Sequence, residues 1–179
     1  MKLKNNLKNR TQYEIYKFCP KCSGNLTQEA LQVCQNCGFK FFQNSKPTVG
    51  AIVYDSSNRV LLAKRTIREA PGFGKWDIPG GFLENGEGPV MGIKREVMEE
   101  IKAKVKIKKL FGVYTDKYTF KDKTNFTFNI VYICVLLTEP KPSEEFSELK
   151  WFSKSEIPWE DIAFENVKLS LRDYFDFGV

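Results

Sequence analysis

Two closely spaced cysteine pairs near the N-terminus constrain the fold of this chain more than any other feature. Cys19 and Cys22 are followed by Cys34 and Cys37 in the spacing C-x2-C-x11-C-x2-C. A segment of about 25 residues is too short to bury a hydrophobic core, so its folding must depend on a bound ion or on covalent links. Tetrahedral Zn²⁺ needs four ligands, and each C-x2-C turn supplies two of them. The spacing therefore predicts a zinc ribbon.

Disulfide bonds and iron are the alternatives for these cysteines. The chain shows no signal peptide, so we expect a reducing cytoplasm, where disulfides are rare. Iron in a rubredoxin-like site stays open. Four thiolates leave no free coordination position, which indicates a structural metal. Cys134 lies in an apolar run and is most simply a buried small apolar residue.

The composition predicts a soluble globular protein and excludes several kinds of chemistry. The 179 residues are 42% apolar, and no apolar run approaches the roughly 20 residues that span a bilayer. Histidine is absent, which excludes Ser-His-Asp and Cys-His nucleophile systems and His-ligated metals. An enzyme of this composition must use carboxylates, Lys, Tyr, Cys or metal-bound water. The net charge of +6 suits nucleotides or RNA, although the lysines are spread along the chain.

The pattern of apolar residues and turns predicts four parts of the chain. They are an N-terminal extension (1–17), the zinc ribbon (18–43), a linker (44–47) and one larger domain (48–179). Strands are predicted at 48–54, 60–65, 105–115 and 127–137, one helix begins at Pro89, and a second spans roughly 164–174. A capping box is expected at 153–156. This order predicts an α/β (α+β) layered domain.

Three glutamates crowd one face of the predicted helix that begins at Pro89. Glu96, Glu99 and Glu100 stand at i, i+3 and i+4, where each like-charge pair costs roughly 0.2–0.5 kcal/mol. They lie off the apolar stripe and are therefore either solvated or face a cleft. A divalent cation among them would make the arrangement favourable.

The residues around this trio resemble the Nudix box. The fixed glycine, arginine and glutamate positions of that motif match Gly81, Glu87, Arg95, Glu96, Glu99 and Glu100. The resemblance implies a Nudix-type mixed sheet sandwiched between helices, here preceded by the zinc ribbon. With the ribbon, the chain is similar to the group that includes NADH pyrophosphatases and ADP-ribose-type hydrolases. One position departs: Lys102 stands where the family has glycine, so it must accept a left-handed backbone at roughly 1 kcal/mol, or the helix ends differently.

The resemblance also implies roles for individual residues. Glu96 and Glu100 would ligate catalytic Mg²⁺ or Mn²⁺, Glu99 would complete the cluster or act as base, and Arg95 would orient a carboxylate. Glu87 and Gly81 would support the geometry of the box, with a metal role open for Glu87. Further metal ligands would be the Gly80 carbonyl and Glu148, for which a solvated acid is the alternative.

The implied reaction is hydrolysis of a pyrophosphate bond in a nucleoside diphosphate linked to another group. The run Ser-Gln-Pro-Trp-Pro-Phe-Pro of NADH pyrophosphatases is absent, because 113–120 has another sequence, so NADH is not the favoured substrate. A loop at 115–126 mixes aromatic residues and lysines that suit a nucleotide. Lys64, Arg65 and Tyr118 are candidate substrate contacts, although core packing and plain surface explain them nearly as well.

Two other functions stay open. One is removal of a nucleotide cap from RNA, and the other is a non-catalytic nucleotide sensor or nucleic-acid-binding module. The expected partner is a small nucleotide substrate rather than nucleic acid, no membrane partner is expected, and the resemblance allows a homodimer.

Overall fold

The computed structural model describes residues 16–29, 31–121 and 123–177, with the side chain of Lys123 left out. Most of the predicted N-terminal extension lies outside the described residues. Within these ranges, no helix is both long and apolar enough to cross a membrane.

The described residues form nine strands and two α-helices. The strands are β1 (Gln32–Val33), β2 (Lys40–Phe41), β3 (Lys46–Val53), β4 (Val60–Arg65), β5 (Trp76–Asp77), β6 (Gly80–Phe82), β7 (Val105–Phe120), β8 (Lys123–Leu136) and β9 (Phe146–Phe152), and the helices are α1 (Pro89–Ile101) and α2 (Glu165–Phe177).

The strands of the larger domain belong to two sheets. A four-stranded sheet has the order β6-β3-β8-β7, in which β3 is parallel to β8 and the other neighbours are antiparallel. A three-stranded antiparallel sheet has the order β5-β4-β9. The predicted mixed sheet is confirmed, and β8 lies inside it, as its apolar sequence on both faces requires.

The two helices cover opposite faces of the strands. Along β3, Val49, Ala51 and Val53 pack in one core cluster with residues of α1, whereas Ile52 packs in a second cluster with residues of α2. This division follows from the twofold alternation of side chains along a strand. The predicted sheet between helices is therefore confirmed. Cys134 is buried in the first cluster, as expected.

Several boundaries differ from the sequence prediction. Strand β3 begins at Lys46, so the second half of the predicted linker is already strand. The segment predicted as a loop at 115–126 is the end of a β-hairpin, because β7 continues to Phe120 and β8 begins at Lys123. The capping box at Ser153 is present, but it begins a 3-10 helix at Lys154–Glu156. The division into ribbon, linker and domain stays a prediction.

Helix α1 ends with Lys102 in the left-handed conformation, which is the first of the two alternatives that the sequence left open. This residue has φ 53° and ψ 28° and caps the helix where a glycine would be unstrained. The turn is therefore kept although lysine stands where the family has glycine, and the three glutamates all lie within α1.

Candidate active site and metal centre

The four N-terminal cysteines meet at one point. Their sulfurs all lie within 4.8 Å of one another, and the distances are 3.8 Å between Cys19 and Cys37 and 3.5 Å between Cys22 and Cys34. A tetrahedral Zn²⁺ with ligands at ~2.3 Å would separate its sulfurs by about 3.8 Å. A disulfide needs about 2.05 Å, and all four thiols are free. The cluster therefore fits one metal ion.

Backbone groups support these sulfurs. The amide of Lys21 donates to Cys19 Sγ at 3.3 Å, and that of Cys37 donates to Cys34 Sγ at 3.5 Å. Such outer hydrogen bonds orient thiolate ligands. A side chain at Gly24 would place its Cβ 2.8 Å from Asn36 Cβ and 3.3 Å from Cys34 Sγ, so only glycine fits beside the cluster.

A second site is a cavity of about 470 Å³ between the four-stranded sheet and the start of α2. The glutamates of α1 reach it beside β6. Its lining includes Thr48, Gly50, Arg65, Asp77, Gly80, Gly81, Phe82, Glu96, Glu99, Glu100, Asp116, Tyr118, Thr127, Asn129, Glu145, Phe164 and Asn166.

Arg95 organises the acidic residues on α1. It donates from Nη1 to Glu96 Oε1 and to Glu99 Oε2, both at 2.9 Å. It also binds Glu87 through two hydrogen bonds, Nε to Oε1 at 2.9 Å and Nη2 to Oε2 at 2.7 Å. A final bond, from Nη2 to the Phe82 carbonyl at 3.1 Å, ties the network to β6. Arg95 and Glu87 thus lie behind the cavity wall and position the groups that face it.

Glu96 and Glu100 are buried carboxylates beside the cavity. Burial raises the pKa of Glu96, and burial raises the pKa of Glu100 well above its ordinary value, with nearby Asp77 and Glu96 adding repulsion. Glu100 Oε2 accepts a hydrogen bond of 2.7 Å from the Gly80 amide. Glu99, by contrast, has a side chain that is 55% exposed.

The glycines of β6 bring the backbone against these carboxylates. Gly80 has φ 152°, and a Cβ there would collide with the Val49 carbonyl. A Cβ at Gly81 would stand 2.7 Å from the carboxylate of Glu96. A side chain at Gly80 would push β6 away from β3, and one at Gly81 would crowd Glu96 of α1.

The donor set of this region fits a hard divalent cation such as Mg²⁺ or Mn²⁺. Buried carboxylates that repel one another gain free energy when a cation binds between them, and such cations take oxygen ligands and retain water. Across the described part of the chain, however, the four cysteines are the one group of three or more His, Cys, Asp or Glu side chains whose ligand atoms lie within 4.8 Å of one another. The carboxylates are spread more widely, since Arg95 lies between Glu96 and Glu99.

Arg65 and Asp77 form a partly buried ion pair in the cavity wall. Arg65 Nη1 donates to Asp77 Oδ2 at 2.9 Å, and its Nε donates to the Pro71 carbonyl at 3.0 Å. Its guanidinium also lies 5.3 Å from the ring centroid of Phe164. Burial raises the pKa of Asp77 to about 6 despite the arginine. This pair fixes Arg65 at the edge of the space that a substrate would occupy.

The structure brings most of the predicted site residues together, but not all. Arg65, Tyr118, Gly80, Gly81 and the three α1 glutamates line the cavity. Lys64 is not part of this lining, and its ammonium lies 5.6 Å from the ring centroid of Trp76. Glu148 is an exposed residue of β9 opposite Lys64 and is also outside the lining.

Sequence reasoning missed several polar residues of the cavity. Glu145 lines the cavity, whereas Glu148 does not, and the negative charge of Glu145 helps to raise the pKa of Glu96. Asp77, Asn129 and Asn166 are buried there as well. A buried polar residue inside an apolar strand, such as Asn129 on β8, was the available signal.

Comparison with known proteins identifies relatives of the whole domain. The NUDIX domain family model matches residues 44–172. An ADP-ribose pyrophosphatase of Methanocaldococcus jannaschii is 32% identical over 123 residues, which are 68% of this chain and 69% of the relative. The NAD-capped RNA hydrolase NudC of Haemophilus influenzae is 28% identical over 143 residues, 78% of this chain but only 52% of that relative.

A solved structure agrees with these sequence matches. The crystal structure of a NUDIX hydrolase from Nitrosomonas europaea superimposes with a TM-score of 0.73 at 35% identity, covering 90% of this chain and 91% of that one.

Proposed function

The chain belongs to the NUDIX family of hydrolases, and on that premise we propose that it hydrolyses the pyrophosphate bond of an ADP-ribose-like or dinucleotide substrate with Mg²⁺ or Mn²⁺. Water adds to one phosphorus, the anhydride P–O bond breaks, and the products are a nucleoside monophosphate and a second phosphorylated group.

The observation that carries this proposal is that Glu96, Glu99 and Glu100 line one cavity together with Gly80 and Gly81. Glu96 and Glu100 would hold the cation. When bound, it would neutralise charge on the phosphoryl oxygens and lower the pKa of water. No histidine is present in the chain to serve as a base.

The remaining residues would position these groups and move the proton. Arg95 holds Glu96 and Glu99 at 2.9 Å each. Glu99 is the exposed member of the trio and would accept the proton from the attacking water. The Gly80 amide would keep the Glu100 carboxylate turned towards β6.

The substrate class is supported by the size of the cavity and by the relative. A volume of about 470 Å³ lies within the range of pockets that hold small ligands. The relative at 32% identity is named for ADP-ribose. Arg65 and Tyr118, which line the cavity, would contact the phosphates and the rest of the nucleotide.

The test is phosphate-product release from ADP-ribose, NADH, NAD, FAD and diadenosine polyphosphates, with and without Mg²⁺. We expect turnover that requires the metal and that Glu99→Gln lowers by at least about 100-fold. Glu139→Gln, at an exposed position outside the cavity, is the matched control. Absence of turnover, with nucleotide binding retained, would favour a sensor.

Removal of a nucleotide cap from RNA is the second candidate. It is favoured by the match to NudC relatives, although the chain spans about half their length. NAD-capped RNA and free NAD compared at equal concentration separate the two candidates, because a decapping enzyme would prefer the capped RNA.

For the N-terminal cluster we propose structural Zn²⁺. Its four sulfurs would fill the coordination shell of the ion, which leaves no position for a substrate.

A further inference from the structure

Two asparagines in the cavity carry side-chain oxygens without a partner. Asn129 is 5% exposed and Asn166 is 6% exposed. Among the described residues, neither Oδ1 atom receives a hydrogen bond, and both atoms are buried. A buried acceptor left unpaired costs roughly 1–3 kcal/mol, so such groups are rare in folded proteins. Two of them in one cavity point to a ligand that supplies donors.

The surrounding structure holds both asparagines in place. Asn129 lies on β8 between Thr48 of β3 and Tyr114 of β7. Gly50 leaves room for it, since a Cβ at that glycine would stand 3.4 Å from Asn129 Nδ2. The backbone amide of Asn166 donates a hydrogen bond to Asp116 Oδ2 at 3.3 Å, which ties the start of α2 to β7.

Asn129 shares a face of β8 with Val131 and Ile133, which pack with residues of α2, whereas the glutamates lie on α1. The backbone of β8 is two strands from that of β6 in the sheet order, which corresponds to about 10 Å. The separation is on the scale of the distance between a pyrophosphate and the base of the same nucleotide. A substrate with its pyrophosphate near Gly80 would therefore place its base near Asn129.

Two aromatic side chains also line the cavity and lie against each other. The rings of Tyr118 and Phe164 have centroids 5.5 Å apart, and both residues line the cavity. Aromatic faces of this kind stack on nucleobases.

We infer that Asn129 and Asn166 form a base-recognition subsite that selects adenine, an inference that rests on the proposed function for its substrate class. Adenine offers an amino donor beside ring-nitrogen acceptors, the pattern that a carboxamide matches with its own oxygen and amide. Rotation about the last side-chain bond exchanges oxygen and nitrogen, so each oxygen can turn to the ligand without a backbone movement.

The test is binding of mononucleotides to the full chain, measured calorimetrically without added divalent metal. The probes are AMP, purine riboside 5′-monophosphate, which lacks only the amino group, and GMP. We expect AMP to bind at least about tenfold more tightly than either, because the subsite loses its donor with the first and meets a different edge with the second.

Asn129→Ala and Asn166→Ala should abolish this preference without lowering the melting temperature, because each removes an unpaired oxygen. If the asparagines had a purely structural role, these substitutions would lower the melting temperature. Asn125→Ala is the matched control, since Asn125 lies on the same strand outside the cavity and accepts a bond from Lys46 at 2.7 Å.

Equal binding of AMP and the purine analogue, GMP binding as tight as AMP, no binding of AMP, or a preference that survives both substitutions would overturn the inference. The outcome is independent of catalysis. A preference for AMP in a protein that hydrolyses nothing would keep the subsite and reject the proposed function, whereas metal-dependent hydrolysis without the preference would do the reverse.

Discussion

Arg95 holds the carboxylate of Glu87 through two hydrogen bonds of 2.9 and 2.7 Å, and the same guanidinium reaches Glu96 and Glu99. Glu87 is not in the cavity lining and is linked to Glu96 and Glu99 through Arg95. This geometry favours the supporting role for Glu87 over the metal role that the sequence left open.

Replacing Arg95 with lysine should lower kcat by roughly 100-fold and leave KM nearly unchanged, because a point charge cannot hold three carboxylates in register. Steady-state kinetics, on the substrate that the product-release assay selects, give both constants. Arg59→Lys, which alters an exposed pair with Asp55, is the matched control. A change confined to KM would contradict a positioning role.

Glu145 and Glu148 provide a direct test of the acid outside the box. Glu145 lines the cavity, and Glu148 is exposed beyond it. Glu145→Gln should lower kcat/KM by roughly tenfold or more, whereas Glu148→Gln should stay within about twofold. The reverse result would support the metal role that the sequence analysis predicted for Glu148.

Metal content tests the cysteine cluster. Purified protein should contain one equivalent of zinc by elemental analysis, and Cys34→Ser should lose it, because three thiolates bind the ion less tightly than four. Cys134→Ser changes a buried cysteine outside the cluster and should keep the zinc. Iron in place of zinc would reject the structural zinc site.

Lys102→Gly should stabilise the protein by roughly 1 kcal/mol, because the left-handed conformation at φ 53° is strained for lysine and not for glycine. Thermal unfolding should show a rise of about 2–4 °C. Lys94→Gly, at an exposed position inside α1, should instead destabilise the protein by about 1 kcal/mol. A lower melting temperature for Lys102→Gly would show that the lysine makes a compensating contact.

The capping box predicts a pH dependence of stability. Hydrogen bonds from the Ser153 hydroxyl and amide lower the pKa of Glu156 below its usual 4.5. The folded pKa lies below the unfolded one, so this stabilisation is fully present above about pH 4.5 and is lost as pH falls through the folded value. Melting temperatures from pH 7 to pH 3 should show wild type above Glu156→Gln at neutral pH and the two converging in acid. A constant difference would contradict the mechanism.

The sequence by itself determined the features that depend on local spacing. The two C-x2-C turns bring their sulfurs together with a short connection, and Glu96, Glu99 and Glu100 share one face of a helix because 3.6 residues make a turn. The left-handed Lys102 was likewise one of the two helix ends that the local sequence allowed.

Only the tertiary structure decided which distant residues join them. Glu145 precedes β9, and the pairing of β9 with β4 shifts register between Lys64 and Arg65, so the strand pattern alone does not place Glu145 in the cavity. Asn129 and Asn166 both line the cavity because α2 packs on the face of the sheet to which Asn129 belongs. Such positions depend on strand register and packing between segments far apart in the chain, which no local pattern specifies.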